Sequence, residues 1–77
     1  MDEQVRRVVA DVLAIDEGQV TEDLGPSSTG NWDSMNHLRI VTAIEEEFGI
    51  SFTMEEVQAI GTVKALEKLV ADKRRNA

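Results

Sequence analysis

Apolar residues recur along this chain at helical spacings, in four segments separated by breakers. Val5, Val8, Val9, Val12 and Leu13 follow one another at intervals of three and four, which lines one face of a helix. Asp2 and Glu3 fall in its first turn, where the helix dipole favours negative charge. A second helix is expected to start at Asp33 or Ser34, both good caps, and to run to Phe48 before Gly49 stops it. Ile40, Val41, Ile44 and Phe48 form its apolar stripe, and Met35, Leu38, Arg39 and Thr42 lie on another side, partly outward. A short third helix covers Met54 to Ile60 and is broken by Gly61. Thr62 can cap a fourth, whose Val63, Leu66, Leu69 and Val70 face inward and whose end, Lys73-Arg74-Arg75, suits a helix C-terminus.

Residues 16–33 lose this periodicity. They hold Gly18, Gly25, Pro26, Ser27, Ser28, Thr29, Gly30 and Asn31, all turn formers, and make a loop long enough to suggest function or mobility. Ile15, Val20, Leu24 and Trp32 are placed to pin it to the core. No segment alternates as a strand would for long, and no repeat is visible. The fold class expected is therefore all-α: a four-helix bundle with a long first loop and a short third helix. At 77 residues the chain is expected to be a single domain, 1–77, of modest stability.

Charge changes the picture of partners. Fifteen acidic residues against eight basic ones give a net charge of −7, which repels nucleic acid and anionic lipid and makes basic protein surfaces the better partners. The acid is concentrated. Residues 16–60 contain ten acidic residues and only Arg39 as a base, whereas Lys64 onward carries a net +3. An acidic flank centred on the second and third helices, with Glu45-Glu46-Glu47 at its middle, is expected to dock basic partners. No apolar run approaches a membrane span, and Met1-Asp2-Glu3-Gln4 is no signal peptide. A soluble, cytoplasmic monomer is expected, and the basic end Lys73-Arg74-Arg75-Asn76-Ala77 favours a free-standing chain.

The inventory for catalysis is thin. Cysteine is absent, which removes disulfides, thiolate nucleophiles and thiolate metal sites together. His37 is the single histidine, so no multi-histidine metal centre can form. A Ser34/His37 nucleophile and base pair lacks a third group, and His37 is read as a half-exposed helical residue. The loop glycines are not followed by the Lys-Ser or Lys-Thr of a phosphate loop. An enzyme is not expected. What stands out is Gly30-Asn31-Trp32-Asp33-Ser34-Met35, which sets a serine at the mouth of a helix, where a phosphate would be electrostatically at home. Local physics alone is also satisfied by Ser34 as a simple cap.

Trp32-Asp33-Ser34-Met35, followed by Leu38, Ile40-Val41 and Ile44-Glu45-Glu46-Glu47-Phe48-Gly49-Ile50, resembles the acyl carrier protein family. So does Glu55-Glu56-Val57, with Ile60-Gly61-Thr62-Val63 leading into the last helix. The resemblance implies that Ser34 receives 4′-phosphopantetheine from coenzyme A, the tethered thiol supplying what the chain lacks. It implies that Asp33 helps position the serine and the metal in the transferase complex. It also implies that Met35, Leu38, Arg39 and Thr42, with Glu45, Glu46, Glu55 and Glu56, meet partner enzymes, leaving Glu47 outside that set. The partners so implied are a phosphopantetheinyl transferase and acyltransferase, ketosynthase or ligase-type enzymes with basic patches. Met35 stands where the family has leucine, Asn36 where fatty-acid carriers have an acid, and Arg39 where they have glutamate. Those departures, with Trp32, look more like carriers of polyketide, nonribosomal peptide or related specialised pathways than like the fatty-acid carrier. A peptidyl carrier and a non-carrying acidic helical adaptor are the alternatives. The hydroxyls of Ser27, Ser28 and Thr29 are rival modification sites, with a flexible loop as the plainer account.

Overall fold

A computed structural model describes residues 2–75, so Met1, Asn76 and Ala77, noted above at the chain ends, lie outside it. Among the described residues there are four α-helices and no strand: α1 (Glu3–Leu13), α2 (Ser34–Phe48), α3 (Met54–Ala59) and α4 (Val63–Arg75). Each begins where a short polar side chain can satisfy first-turn amides. Asp2 is the cap of α1 and not part of its first turn; its carboxylate accepts from the amides of Gln4 and Val5. Thr53 caps α3 and receives reciprocal support from Glu56. Thr62 Oγ1 accepts from the amide of Ala65 at 3.2 Å in α4. Two helices stop in left-handed backbone, α1 at Ala14 (φ 57°) and α2 at Gly49 (φ 65°). Helix α3 ends one residue short of the expected Ile60, which adopts extended backbone as its C-cap.

The core is built from the predicted stripes. Val5, Val9 and Leu13 of α1, Ile40, Val41 and Ile44 of α2, and Val63, Leu66 and Val70 of α4 are all buried, with Val57 and Ile60 from the α3 region. Each such side chain contributes about 1.5–3 kcal/mol when fully removed from water. Val8, Val12, Phe48 and Leu69 pack at the edge of this cluster, and Ala10 joins its centre. Helix α1 packs chiefly against α2.

The long loop is structured. Val20 and Trp32 enter the core, and Ile15 and Leu24 pack on its margin. A single 3₁₀ turn at Glu17–Gln19 interrupts it, with Gln19 Oε1 accepting from the amide of Asp16 at 3.1 Å. Farther on, the carbonyls of Leu24 and Glu22 accept from the amides of Val63 and Lys64, at 2.8 and 3.0 Å. The loop therefore closes the N-terminus of α4. Gly25 is buried there, and a Cβ on it would collide with the carbonyl of Gly61.

The basic end of α4 does more than suit the dipole. Arg74 lies over the Phe48 ring at 5.1 Å from its centroid, and Lys73 over Phe52 at 5.7 Å. Lys73 also pairs with Glu56 at 2.8 Å, and the Asp2 amide donates to Glu67 at 2.6 Å. These contacts tie the last helix to the ends of the other three.

Candidate functional site

Ser34 is the first residue of α2, and Asp33, not Ser34, is the cap. Asp33 Oδ1 accepts from the amide of Asn36 at 2.9 Å, and Asn36 Nδ2 donates back to the carbonyl of Asn31 at 2.7 Å. The end of the loop is thus clamped to the first turn of the helix. The Ser34 hydroxyl has no part in this capping and its side chain is exposed. It sits where the amides of a 15-residue helix concentrate partial positive charge.

Beside Ser34 lies an open groove of about 650 Å³. Pro26 and Trp32 bound it from the loop, Asp33, Ser34, His37 and Leu38 from the α2 side, and Met54, Val57, Gln58 and Ile60 from α3. Its floor is the buried Trp32, only 2 % exposed. The indole Nε1–H donates to His37 Nδ1 at 2.9 Å, and His37 Nε2 lies 2.7 Å from the Val57 carbonyl oxygen. A carbonyl can only accept and an indole N–H can only donate. His37 is therefore neutral, with its proton on Nε2. Both ring nitrogens are occupied, so His37 is not free to act as the base of a serine–histidine hydrolase pair. The half-exposed position expected of His37 is correct; its two partners could not be read from spacing.

The rival hydroxyls fare differently. Ser28 Oγ accepts from the Gly25 amide and donates to the Asp23 carbonyl, at 3.2 and 3.1 Å. Thr29 Oγ1 accepts from Asn31 at 3.3 Å. Both shape the loop's turns. Ser27 is exposed but lies on a turn, away from any helix start.

On the outer side of α2, Met35, Leu38, Arg39, Thr42 and Glu46 share a second depression of about 400 Å³ with Ala43. Met35 and Leu38 are 62 % and 54 % exposed, and Met54 across the first groove is 67 % exposed. The four glutamates do not act alike. Glu45 is half-buried, and its Oε2 accepts from the Phe52 amide at 2.8 Å. Glu56 is tied to Lys73 and to Thr53. The hydrogen bond from Lys73, with that from the Thr53 backbone, holds its carboxyl below the usual glutamate range. Glu46 and Glu55 are exposed and, among the described residues, form no ion pair. Among those residues no group of three or more acidic or histidine side chains gathers as a metal site, and no helix is long and apolar enough to cross a membrane.

The family model described as the phosphopantetheine attachment site matches residues 3–70. An acyl carrier protein of Petrotoga mobilis is 32 % identical over 71 residues, covering 92 % of this chain and 84 % of that one. An acyl carrier protein of Thermosynechococcus vestitus is 31 % identical over 71 residues, covering 92 % of this chain and 88 % of that protein.

Proposed function

Because this chain belongs to the acyl carrier protein family, whose attachment domain bears covalent 4′-phosphopantetheine, we propose that Ser34 carries the arm. The observation behind this is that Ser34 is exposed at the first turn of α2 and freed from capping by Asp33. The fit to the group is chemical as well as steric. A phosphodiester on Ser34 Oγ would lie at the positive end of α2, and the adjoining groove offers apolar and hydrogen-bonding walls to the chain that follows. The arm brings a thiol for thioester formation to a protein with no cysteine. In loading, Ser34 Oγ attacks the β-phosphorus of coenzyme A. The new O–P bond replaces the bond to 3′,5′-ADP, which leaves, and the hydroxyl proton passes to a base of the transferase. Asp33 holds the first turn in place and would help position the serine and the transferase's metal in that complex.

A carrier holds its cargo and leaves the bond chemistry to others. Carrier proteins work with a phosphopantetheinyl transferase and biosynthetic enzymes; here those enzymes are acyltransferase, ketosynthase or ligase-type proteins with basic docking patches. Met35, Leu38 and Thr42 supply apolar contact, and Glu46 and Glu55 supply free negative charge, with the tied Glu45 and Glu56 adding to the field. Arg39 adds one positive charge in the middle of that face, and Asn36 adds no acid. That pattern favours a dedicated enzyme set, in a polyketide or related natural-product pathway, over exchange with general fatty-acid enzymes. Aminoacyl cargo is the variant that would make it a peptidyl carrier. The chain acts as a single carrier domain, 1–77, monomeric and cytoplasmic.

The test is intact-mass spectrometry of the unmodified protein after incubation with coenzyme A, magnesium and a broad-specificity phosphopantetheinyl transferase. The wild type is expected to gain the mass of one phosphopantetheine and Ser34→Ala none. An unmodified wild type, under conditions that load another carrier, would favour the acidic adaptor. A loaded Ser34→Ala would move the site to a loop hydroxyl.

A further inference from the structure

Helix α3 is six residues long, too short to hold itself. Within it, Val57 alone is buried. The Val57 carbonyl belongs to the last turn, where helices leave acceptors unpaired; its one backbone donor, the Ile60 amide, is distant at 3.4 Å. The His37 imidazole reaches across from α2 to fill that vacancy at 2.7 Å. The same ring is held from behind by the buried Trp32 indole at 2.9 Å. All three residues line the groove beside Ser34.

We propose that His37 is the positioning residue of this groove. Locked by Trp32 and Val57 in the Nε2–H form, it fixes α3 against α2, so that the wall opposite Ser34 is in place before anything is attached. The groove is thereby preorganised, and the entropy of ordering α3 is not charged to the arriving group. The Trp32 indole and the Val57 carbonyl require the same tautomer, so His37 joins the buried indole to α3 without frustrating either partner. A side chain that merely filled space at position 37 would not make that link. What the groove receives depends on the carrier reading above; the latch itself belongs to the unmodified protein.

The experiment therefore uses unmodified, ¹⁵N-labelled protein at pH 8, where imidazole is neutral. Three quantities are followed: the imidazole tautomer by ¹⁵N shifts, amide exchange over residues 54–60 relative to α1, and acrylamide quenching of Trp32. The wild type is expected to show the Nε2–H form and a poorly quenched indole. In His37→Leu, α3 amides should exchange roughly tenfold faster, as the loss of one interhelical hydrogen bond requires, and quenching should rise. His37→Gln, which offers both a donor and an acceptor, should recover most of the protection. Trp32→Phe should keep the Nε2–H form, because the Val57 carbonyl still requires a donor there, while α3 exchange rises less than in His37→Leu. An Nδ1–H wild type, or His37→Leu protecting α3 as well as His37→Gln does, would overturn the proposal. If His37→Leu does not fold, the wild-type tautomer and the Gln variant still decide it. None of these readouts depends on loading, so an unloaded protein with the latch intact would refute only the carrier reading.

Discussion

Gly25 joins the loop to the far side of the bundle, and replacing it tests that joint. An alanine Cβ at this position would meet the Gly61 carbonyl and crowd the Thr62 Cα. Backbone cannot yield as a flexible side chain would, so the loop must draw back. Two hydrogen bonds then stretch, from Val63 to the Leu24 carbonyl and from Lys64 to the Glu22 carbonyl. At about 1 kcal/mol each, their loss costs about 2 kcal/mol, and residual crowding adds roughly 1 kcal/mol. Alanine's smaller unfolded-state entropy returns about 0.5–1 kcal/mol. The net expectation is a loss of about 2 kcal/mol, or about 8–16 °C in Tm for a domain of this size. A domain of 77 residues has only about 4–12 kcal/mol to lose. Gly18→Ala is the control, since a Cβ there meets nothing within 4 Å; it is expected to change stability by no more than about +1 kcal/mol. Urea unfolding followed by far-UV circular dichroism and by Trp32 fluorescence measures both. Coincident midpoints for the two variants would refute the assigned joint, as would a Gly25→Ala protein whose Val63 and Lys64 amides stay as protected as before.

Two further perturbations probe the ends of the helices. Ala14 is exposed and holds left-handed backbone at φ 57°, a conformation that costs a non-glycine residue about 1 kcal/mol. Ala14→Gly should therefore raise stability by up to about 0.5 kcal/mol after its entropic cost, and an unchanged or lower thermal midpoint would contradict that. Glu56 has a folded-state pKa below the ordinary 4.5 because of Lys73 and Thr53. Its stabilisation is thus present above pH 4.5 and disappears as the pH falls through the depressed value. Glu56→Gln keeps the capping geometry and removes the charge. The stability difference between wild type and variant should be largest above pH 4.5 and close as the pH falls below it; a difference that stays constant on acidification would remove Lys73 from the account.

Much of this arrangement was legible in the sequence, for identifiable reasons. The stripes of α1, α2 and α4 are long enough for a 3.6-residue period to stand out, and their core residues are buried as expected. The serine at the mouth of α2 follows from local cap chemistry, although cap and first residue could not be distinguished until Asp33 was seen accepting from Asn36. The 3₁₀ turn at Glu17–Gln19 leaves no mark on the pattern, because three residues carry no period. The end of α3 was overrun by one residue because Ile60 is apolar and buried whether it continues the helix or leaves it. Long-range facts were out of reach. No pattern announces that Gly25 meets Gly61, or that His37 finds a carbonyl 20 residues away.

The same limit explains how the acidic flank divides. In the chain, Glu45, Glu46, Glu55 and Glu56 are two similar pairs, and all four count equally toward a docking surface. In the fold, one of each pair turns inward: Glu45 takes the Phe52 amide, and Glu56 joins Thr53 to Lys73. Both inward members hold α3 and the segment before it, the same wall that His37 grips from the groove side. The outward members, Glu46 and Glu55, stand on different helices, with exposed Leu38 and Met54 on the same two helices. Under the proposed docking, charge for attraction and charge for holding the bundle would therefore be carried by adjacent residues of one type. A substitution of Glu45 or Glu56 that weakens a partner's binding would report on the placement of α3 as much as on contact. Only Glu46 and Glu55 can separate the two.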